Sequence, residues 1–339
     1  MLSSNSTYLH GGRREVMEED GFWQCYGNGG TDLSRDWLVP GPSDILHDDA
    51  QAAPPTRRYI FSPSEEASSS DVTVRVRELC SEGCLNDVIG GEVWEASFLL
   101  SAFVLLNPSL FSPGQRVLEL GAGVGLPSLL LLELRRRRRK RREGEDIQAP
   151  GELTLTDNDS VVLESLHISA VEEGGVEDSC KEKKGEDGDV ALSVRYFDWL
   201  EPANIAPSLH DLVIGSALVY SPEHAVALSN TVSHLLLSPT STVRGIIVIQ
   251  IGDRPGFERL QRLLSSVSGV SFTAHAVSEE VYDLAQQSMV HTSAVSSSDV
   301  SFFRHKNVTF RPRALEGAGV HKVISTPRES FTILTITKD

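Results

Sequence analysis

Val117-Leu118-Glu119-Leu120-Gly121-Ala122-Gly123-Val124-Gly125-Leu126 decides how the rest of the chain is read. A short apolar run carrying one acid gives way to three glycines at alternate positions, and a leucine-rich stretch from Leu126 to Leu134 follows. That order predicts strand, tight turn and helix. Glycines at 121, 123 and 125 let the backbone turn sharply and approach a ligand closely, while the helix N-terminus offers free N–H groups and about half a positive charge. A nucleotide-like ligand suits such a turn.

Spacing narrows the choice. The dinucleotide fingerprint is G-x-G-x-x-G, whereas here the order is Glu-x-Gly-x-Gly-x-Gly with a carboxylate before the turn. Glu119 repels a pyrophosphate and suits the ammonium of a methionine moiety. The next apolar stretch, Leu153 to Thr156, ends at Asp157, whose carboxylate can accept from both hydroxyls of a ribose. Its separation from the glycines exceeds the usual spacing of about 20 residues. Between them lies the run Arg135 to Arg142, and removing that insertion restores the usual distance.

Working outward, Arg57–Phe61 and Val72–Arg77 read as a leading hairpin. Apolar positions at helical spacing mark Glu95–Leu106, followed by helices at Ser160–Val171, Glu223–Leu237 and Gly256–Ser265. Val190–Tyr196 alternates as a strand and delivers Asp198 and Trp199 to its carboxyl end, where open α/β sheets bind ligands. An indole there can stack on adenine, and a carboxylate can accept from its amino group. Asp211–Ile214 and Gly245–Ile251 are apolar strands, and Val270–Ala276 with Phe331–Thr337 are consistent with an antiparallel edge hairpin. The expected fold is α/β: a doubly wound, mostly parallel seven-strand sheet with an N-terminal extension.

Five motifs in order carry a resemblance: Gly91-Glu-Val-Trp94-Glu-Ala, Glu119-Leu-Gly-Ala-Gly-Val-Gly-Leu126, Thr156-Asp157-Asn158, Phe197-Asp198-Trp199 and Asp211-Leu-Val-Ile-Gly-Ser-Ala-Leu-Val-Tyr220. From about Val72 onward the chain resembles the family 16 (lysine) methyltransferases, seven-strand enzymes that use S-adenosylmethionine. The resemblance implies that Glu119 with Gly121, Ala122, Gly123 and Gly125 holds the methionine portion of the cofactor, Asp157 the ribose, and Asp198 with Trp199 the adenine. Trp94 and Ser216 complete the wall. It implies a protein substrate, with lysine as the first acceptor and another nitrogen second. The sequence departs from the family at Ala217, where those enzymes carry the acid of Asp-x-x-Tyr that helps hold the substrate amine. Tyr220 is retained and can line the substrate channel. Glu223, three residues on, is a candidate replacement acid if the loop folds back; otherwise it is a helix first-turn carboxylate beside Pro222, with His224 an exposed helix residue.

Composition bounds the remaining readings. The 339 residues, 40% of them hydrophobic, can bury one large α/β core with extensions. Residues 1–56 are rich in Gly, Ser, Asp and Pro and are expected to form a weakly ordered tail before a domain at 57–339, with insertions near 135–150, 172–188 and 287–327. Cys25, Cys80, Cys84 and Cys180 are scattered, signalling neither a metal site nor a disulfide framework, which fits a reducing cytoplasmic or nuclear setting. No apolar run approaches the roughly 20 residues of a membrane span. A formal net charge of −16 argues against a general nucleic-acid binder, the run Arg135–Arg142 being the place where RNA contact or nuclear import would reside. Eight like charges are expected to project into solvent. Two alternatives stand against the enzyme: a binding module that keeps the cofactor fold without catalysis, supported by Ala217, and a nicotinamide dehydrogenase, opposed by the glycine spacing and Glu119.

Overall fold

A computed structural model describes residues 56–63, 71–79, 89–140, 148–174, 192–252, 254–292, 303–305, 308–310, 324 and 326–339. All lie within one compact unit, Asp49–Asp339. The expected tail lies outside the described residues except for Thr56, as do the four cysteines.

The sheet is built from β3 (Arg116–Leu120), β4 (Glu152–Asp157), β5 (Leu192–Tyr196), β6 (Leu212–Ser216), β7 (Gly245–Ile251), β8 (Val270–Ala276) and β12 (Phe331–Lys338), in the spatial order β5-β4-β3-β6-β7-β12-β8. The first five run parallel, and β12 pairs antiparallel with both β7 and β8. These strands are apolar almost throughout because both faces are covered, and their period of two divides them cleanly. Val117, Leu212, Ile214, Ile247 and Ile249 face one core with α1 (Glu95–Leu106), α2 (Leu126–Lys140) and α3 (Ser160–Gly174). Leu118, Leu120, Val213, Ile246 and Val248 face the other with α4 (Pro222–Leu237) and α5 (Phe257–Ser266). Because β4 and β6 lie on opposite sides of β3, the turn after β3 opens where the winding reverses.

A second, three-stranded sheet has the order β2-β1-β9, from β1 (Thr56–Phe61), β2 (Val72–Arg77) and β9 (Met289–Thr292). Val72, Val74 and Val76 bury its inner face, and Tyr59 meets Phe98 of α1 edge-on at 5.2 Å. The leading hairpin is present, with Tyr59 opposite Val74.

Four differences from the sequence reading have physical causes. The region 287–327 is not one polar connection: β9 pairs with β1, and β10 (Phe303–His305) pairs with β11 (Val308–Phe310), while 293–302 and 311–323 lie outside the described residues. Ahead of it, α6 (Glu279–Gln287) passed unnoticed, although Ser278 caps it by accepting from the Val281 N–H, two glutamates occupy its first turn, and Val281, Leu284 and Ala285 are buried. The third helix is described as far as Gly174, beyond the expected Val171, because Glu172 and Glu173 are good helix formers. Finally, β12 is adjacent to β8 as expected but lies inside the sheet, leaving β8 at the edge.

The basic run also behaves differently from a freely projecting segment. Arg135 to Lys140 continue α2, and the first arginines fold back onto the protein. Arg135 donates to the carbonyls of Pro150 and Gly151, while Arg136 Nε and Arg137 Nε reach the buried Glu133 carboxylate at 2.5 and 2.8 Å. Burial alone would raise Glu133, but these two guanidinium groups hold it below its ordinary value.

At the opposite end of the sheet from the glycine turn, His210 precedes β6 with Nδ1 buried and without a hydrogen-bond partner. Burial, aided by the charges of Arg195 and Arg116 and opposed by Asp211, pushes its imidazole down to about 4. The unfolded chain therefore binds a proton near pH 6.5 that the folded chain refuses until about 4, so stability falls as pH drops through that window. The expected loss is roughly 3 kcal/mol between those limits. Urea unfolding of His210→Phe at pH 4.5 and 7.5 should show a flatter acid limb than the parent; equal slopes would remove His210 as the cause.

Candidate functional site

The carboxyl ends of β3, β4, β5 and β6 surround a cavity of about 440 Å3. Its floor is the turn after β3, where Gly121, Gly123 and Gly125 have φ of 56°, 55° and 79°. At Gly123 the conformation and the space both exclude a side chain: a Cβ would lie 3.0 Å from the Gly90 carbonyl oxygen. Two backbones thus approach closely at the cavity wall.

Asp157, at the end of β4, is clasped to that turn. Its Oδ2 accepts from the Gly123 N–H at 2.9 Å, and its Oδ1 accepts from the N–H groups of Asn158 and Asp159 at 2.8 and 3.1 Å. Burial raises this carboxyl, and the three N–H donors pull against the rise. The main chain reinforces the join: the Ala122 N–H donates to Thr156 O at 2.8 Å, and Thr156 Oγ1 to Glu119 O at 2.7 Å. Oδ1 thus uses both its lone pairs, and Oδ2 keeps one further acceptor site.

Beyond β5, Asp198 and Trp199 stand in the wall beside the glycine turn. The Asp198 Oδ1 accepts from the Leu200 N–H at 2.9 Å, which fixes the carboxylate, and a Cβ on Gly121 would lie 3.1 Å from the Trp199 ring. The opposite wall holds Trp94, at the N-cap of α1, and Ser216, whose Oγ lies 2.9 Å from Ser97 Oγ on that helix. Gly121, Ala122, Gly123, Gly125, Asp157, Asp198, Trp199, Trp94 and Ser216 therefore converge on one cavity. Glu119 does not line it. Its carboxyl is buried facing Ser128 of α2, with Oε2 unpartnered, and burial pushes it up to about 8 against the opposing pull of the Ser128 hydroxyl and N–H. Neutral at pH 7 in this state, it would ionise if a cation came within reach.

The segment after β6 forms the rest of the rim. Ala217 adopts φ of 53°, in the left-handed region, with its N–H donating to Ile249 O at 2.9 Å. The fully buried Gln250 then clamps Val219: its Oε1 accepts from the Val219 N–H at 3.1 Å and its Nε2 donates to Val219 O at 2.6 Å. A side chain here supplies the two bonds that a neighbouring strand would make. Tyr220, half-buried, lines the cavity with its phenol raised by burial and by the Asp157 charge, against the effect of Arg254. Glu223 lies in the first turn of α4 and lines the outer wall, its carboxyl held low chiefly by the Ser221 hydroxyl.

His224 departs from the expectation of an exposed helix residue. It is half-buried in the wall, its ring 4.0 Å from that of Tyr220 and 6.3 Å from that of Trp199, with Nδ1 3.1 Å from Ser221 Oγ. Burial lowers its pKa. Arg254, on the turn after β7, also lines the cavity and was not singled out from sequence. Gln250 was missed as well, although it is the one polar side chain in the apolar run Gly245–Ile251.

Chemically, the cavity offers a glycine-rich turn, a clasped carboxylate, two indoles, and further acids at Glu92, Asp159 and Glu223. These fit a cationic nucleoside: hydroxyl donors for Asp157, a flat base for Trp199, and positive charge for the acidic walls. Among the described residues, no cluster of His, Cys, Asp and Glu forms a metal site, and no helix is long and apolar enough to cross a membrane.

The sequence profile of a family described as lysine methyltransferase matches residues 75–254, just over half of the chain. Comparison with curated protein sequences returns no match. Among solved structures, the fold is similar to precorrin 8w decarboxylase from Methanobacterium thermoautotrophicum, with 12% identity, TM-score 0.35, and coverage of 70% of this chain and 89% of that one. It is also similar to M. jannaschii TYW2 in complex with AdoMet, with 8% identity, TM-score 0.35, and coverage of 79% and 83%. An rRNA methylase from Streptococcus thermophilus shares 9% identity, TM-score 0.33, and coverage of 71% and 93%.

Proposed function

The chain belongs to the lysine methyltransferase family, and from that premise we propose that it transfers a methyl group from S-adenosylmethionine to the side-chain amine of a lysine in a protein. The observation that supports it best is the Asp157 carboxylate clasped to the glycine turn within the cavity. When bound, S-adenosylmethionine supplies a methyl group on a cationic sulfur. In this reading Asp157 accepts from the ribose hydroxyls, Trp199 and Asp198 meet the adenine, and Gly121 to Gly125 with Trp94 and Ser216 enclose the methionine portion.

Held by these residues, the cofactor would supply its methyl to an acceptor nitrogen, an N–CH3 bond replacing the S–CH3 bond whose electron pair would remain on sulfur. The nitrogen must arrive neutral, and for a lysine of pKa about 10.4 deprotonation at pH 7 costs roughly 4.6 kcal/mol. Burial among Trp94, Trp199 and Tyr220 and proximity to the sulfonium both lower that cost, while the acidic rim at Glu92 and Glu223 attracts a basic segment. Alignment is the larger task. Tyr220 positions the amine, and Glu223 is the first acid after the position that Ala217 leaves without one.

Ala217 favours a second reading, a binding module without turnover. It is also a strained residue, since an L side chain in the left-handed region costs about 1–2 kcal/mol, less for aspartate. Ala217→Gly should therefore raise stability by about 1 kcal/mol. Ala217→Asp should fold at least as well as the parent and raise methyl transfer roughly tenfold, the worth of one oriented charge-assisted bond of about 1.4 kcal/mol. The decisive experiment has two steps: calorimetric titration of S-adenosylmethionine, then labelled cofactor with a cell extract followed by hydrolysis to amino acids. Labelled methyl-lysine supports the proposal; binding with no labelled product from the parent or from Ala217→Asp supports the binding module.

A further inference from the structure

Arg254 is a charged group in the cavity wall that the mechanism above leaves unused. It stands on the turn between β7 and α5, its N–H donating to Ile251 O at 3.3 Å and its carbonyl accepting from the Phe257 N–H at 3.2 Å. Its guanidinium carbon lies 4.9 Å from the centre of the Trp94 ring. Among the described residues, no other lysine or arginine lines the cavity and the Arg254 side chain makes no ion pair. Stacking on an indole orients a guanidinium plane but satisfies none of its five N–H donors. Of the acids in the wall, Asp157 accepts from three backbone N–H groups and Asp198 from that of Leu200, and neither is paired with Arg254. A planar, permanently charged fork held on an aromatic face matches a carboxylate bidentately.

We infer that Arg254 is the carboxylate-binding group of this cavity, pairing with a carboxylate that an incoming molecule brings while Trp94 holds the guanidinium plane. The inference rests on the S-adenosylmethionine reading. Two sources carry the same chemistry: the α-carboxylate of the cofactor's methionine portion, and an acidic side chain beside the acceptor lysine. Trp94, expected beside the cofactor, connects Arg254 to the first. Tyr220, whose phenol feels the Arg254 charge, connects it to the second.

The experiment compares S-adenosylmethionine with its decarboxylated analogue by calorimetry, in the full chain and in Arg254→Met, with thermal melts to confirm folding and Arg254→Lys as a variant that keeps the charge but not the fork. In the same proteins saturated with S-adenosylhomocysteine, the dipeptides Nα-acetyl-Lys-Asp and Nα-acetyl-Lys-Asn, both as C-terminal amides, are titrated. If the cofactor supplies the carboxylate, the parent binds the decarboxylated analogue roughly 10- to 100-fold more weakly, Arg254→Met loses that discrimination, and Arg254→Lys keeps part of it. If the acceptor supplies it, the cofactor pair is bound alike, while the parent prefers Lys-Asp and Arg254→Met does not. Loss of neither preference on substitution overturns the inference while leaving the cofactor reading intact. A parent that binds no S-adenosylmethionine sinks both.

Discussion

Asp157→Ala should lose S-adenosylmethionine affinity by roughly 100-fold or more, because two hydrogen bonds from ribose hydroxyls to a charged acceptor are together worth about 3 kcal/mol or more. The structure adds a second cost. The carboxylate also accepts from the N–H groups of Gly123, Asn158 and Asp159, so alanine strands donors at the end of β4 and releases the glycine turn from its neighbour. With two of these bonds partly buried and the one from Asn158 exposed, the expected destabilisation is about 1–3 kcal/mol. Asp157→Asn separates the two effects. Its carbonyl oxygen can still accept, but its amide group presents donors to N–H groups, so the fold should suffer less than in the alanine variant while affinity stays low. Titration calorimetry together with urea unfolding measures both quantities. An alanine variant that binds as the parent does would remove Asp157 from the ligand, whatever its effect on stability.

Gly256→Ala should be the most damaging single methyl that can be added near the cavity. Gly256 has φ of 95°, and a Cβ there would fall 2.2 Å from the Ser221 carbonyl oxygen and 2.6 Å from its carbon, backbone atoms that cannot swing aside. The turn carrying Arg254 and the start of α4, which carries Glu223 and His224, are in contact through this hydrogen atom. Forcing them apart, together with the left-handed strain, is expected to cost about 3 kcal/mol or more. For a domain of this size that is a fall in melting temperature of roughly 6–12 °C. Cofactor affinity should drop in the same variant, because the rim that carries Arg254 moves. A melting temperature within a degree or two of the parent would show that the two loops are not held together in solution.

The sheet was legible because its interior strands are apolar at nearly every position, and runs such as Gly245–Ile251 have few other uses. The glycine turn and Asp157 were legible because one strand–turn–helix segment and the next strand end specify the ligand's neighbourhood locally. Arg254, His224 and Gln250 were not. Their roles depend on neighbours in space: Gln250 acts across from β7 to Val219 at the rim, Arg254 acts across to Trp94, 160 positions earlier, and the His224 ring meets that of Trp199. Glu119 shows the converse. Its position next to the glycines suggested a ligand contact, yet the pleat of β3 turns it toward Ser128 and the α2 core, on the face shared with Val117. Helix α6 and strand β9 were overlooked for a plainer reason, since nine and four residues give a periodic pattern little room to declare itself.

The place of β12 between β7 and β8 bears on how the molecule is made. Each of β4 to β7 pairs with a strand made before it, but among the described residues β8 has no neighbour except β12, and β7 has one open side until β12 arrives. During synthesis the nascent chain therefore carries two strands waiting for a third that is more than fifty residues away from β8, with the Ile-rich edge of β7 uncovered meanwhile. Open apolar edges of that kind recruit other chains. The same β7 carries Gln250, which holds the rim of the cavity, so the strand left uncovered until β12 arrives is also one on which the binding site depends.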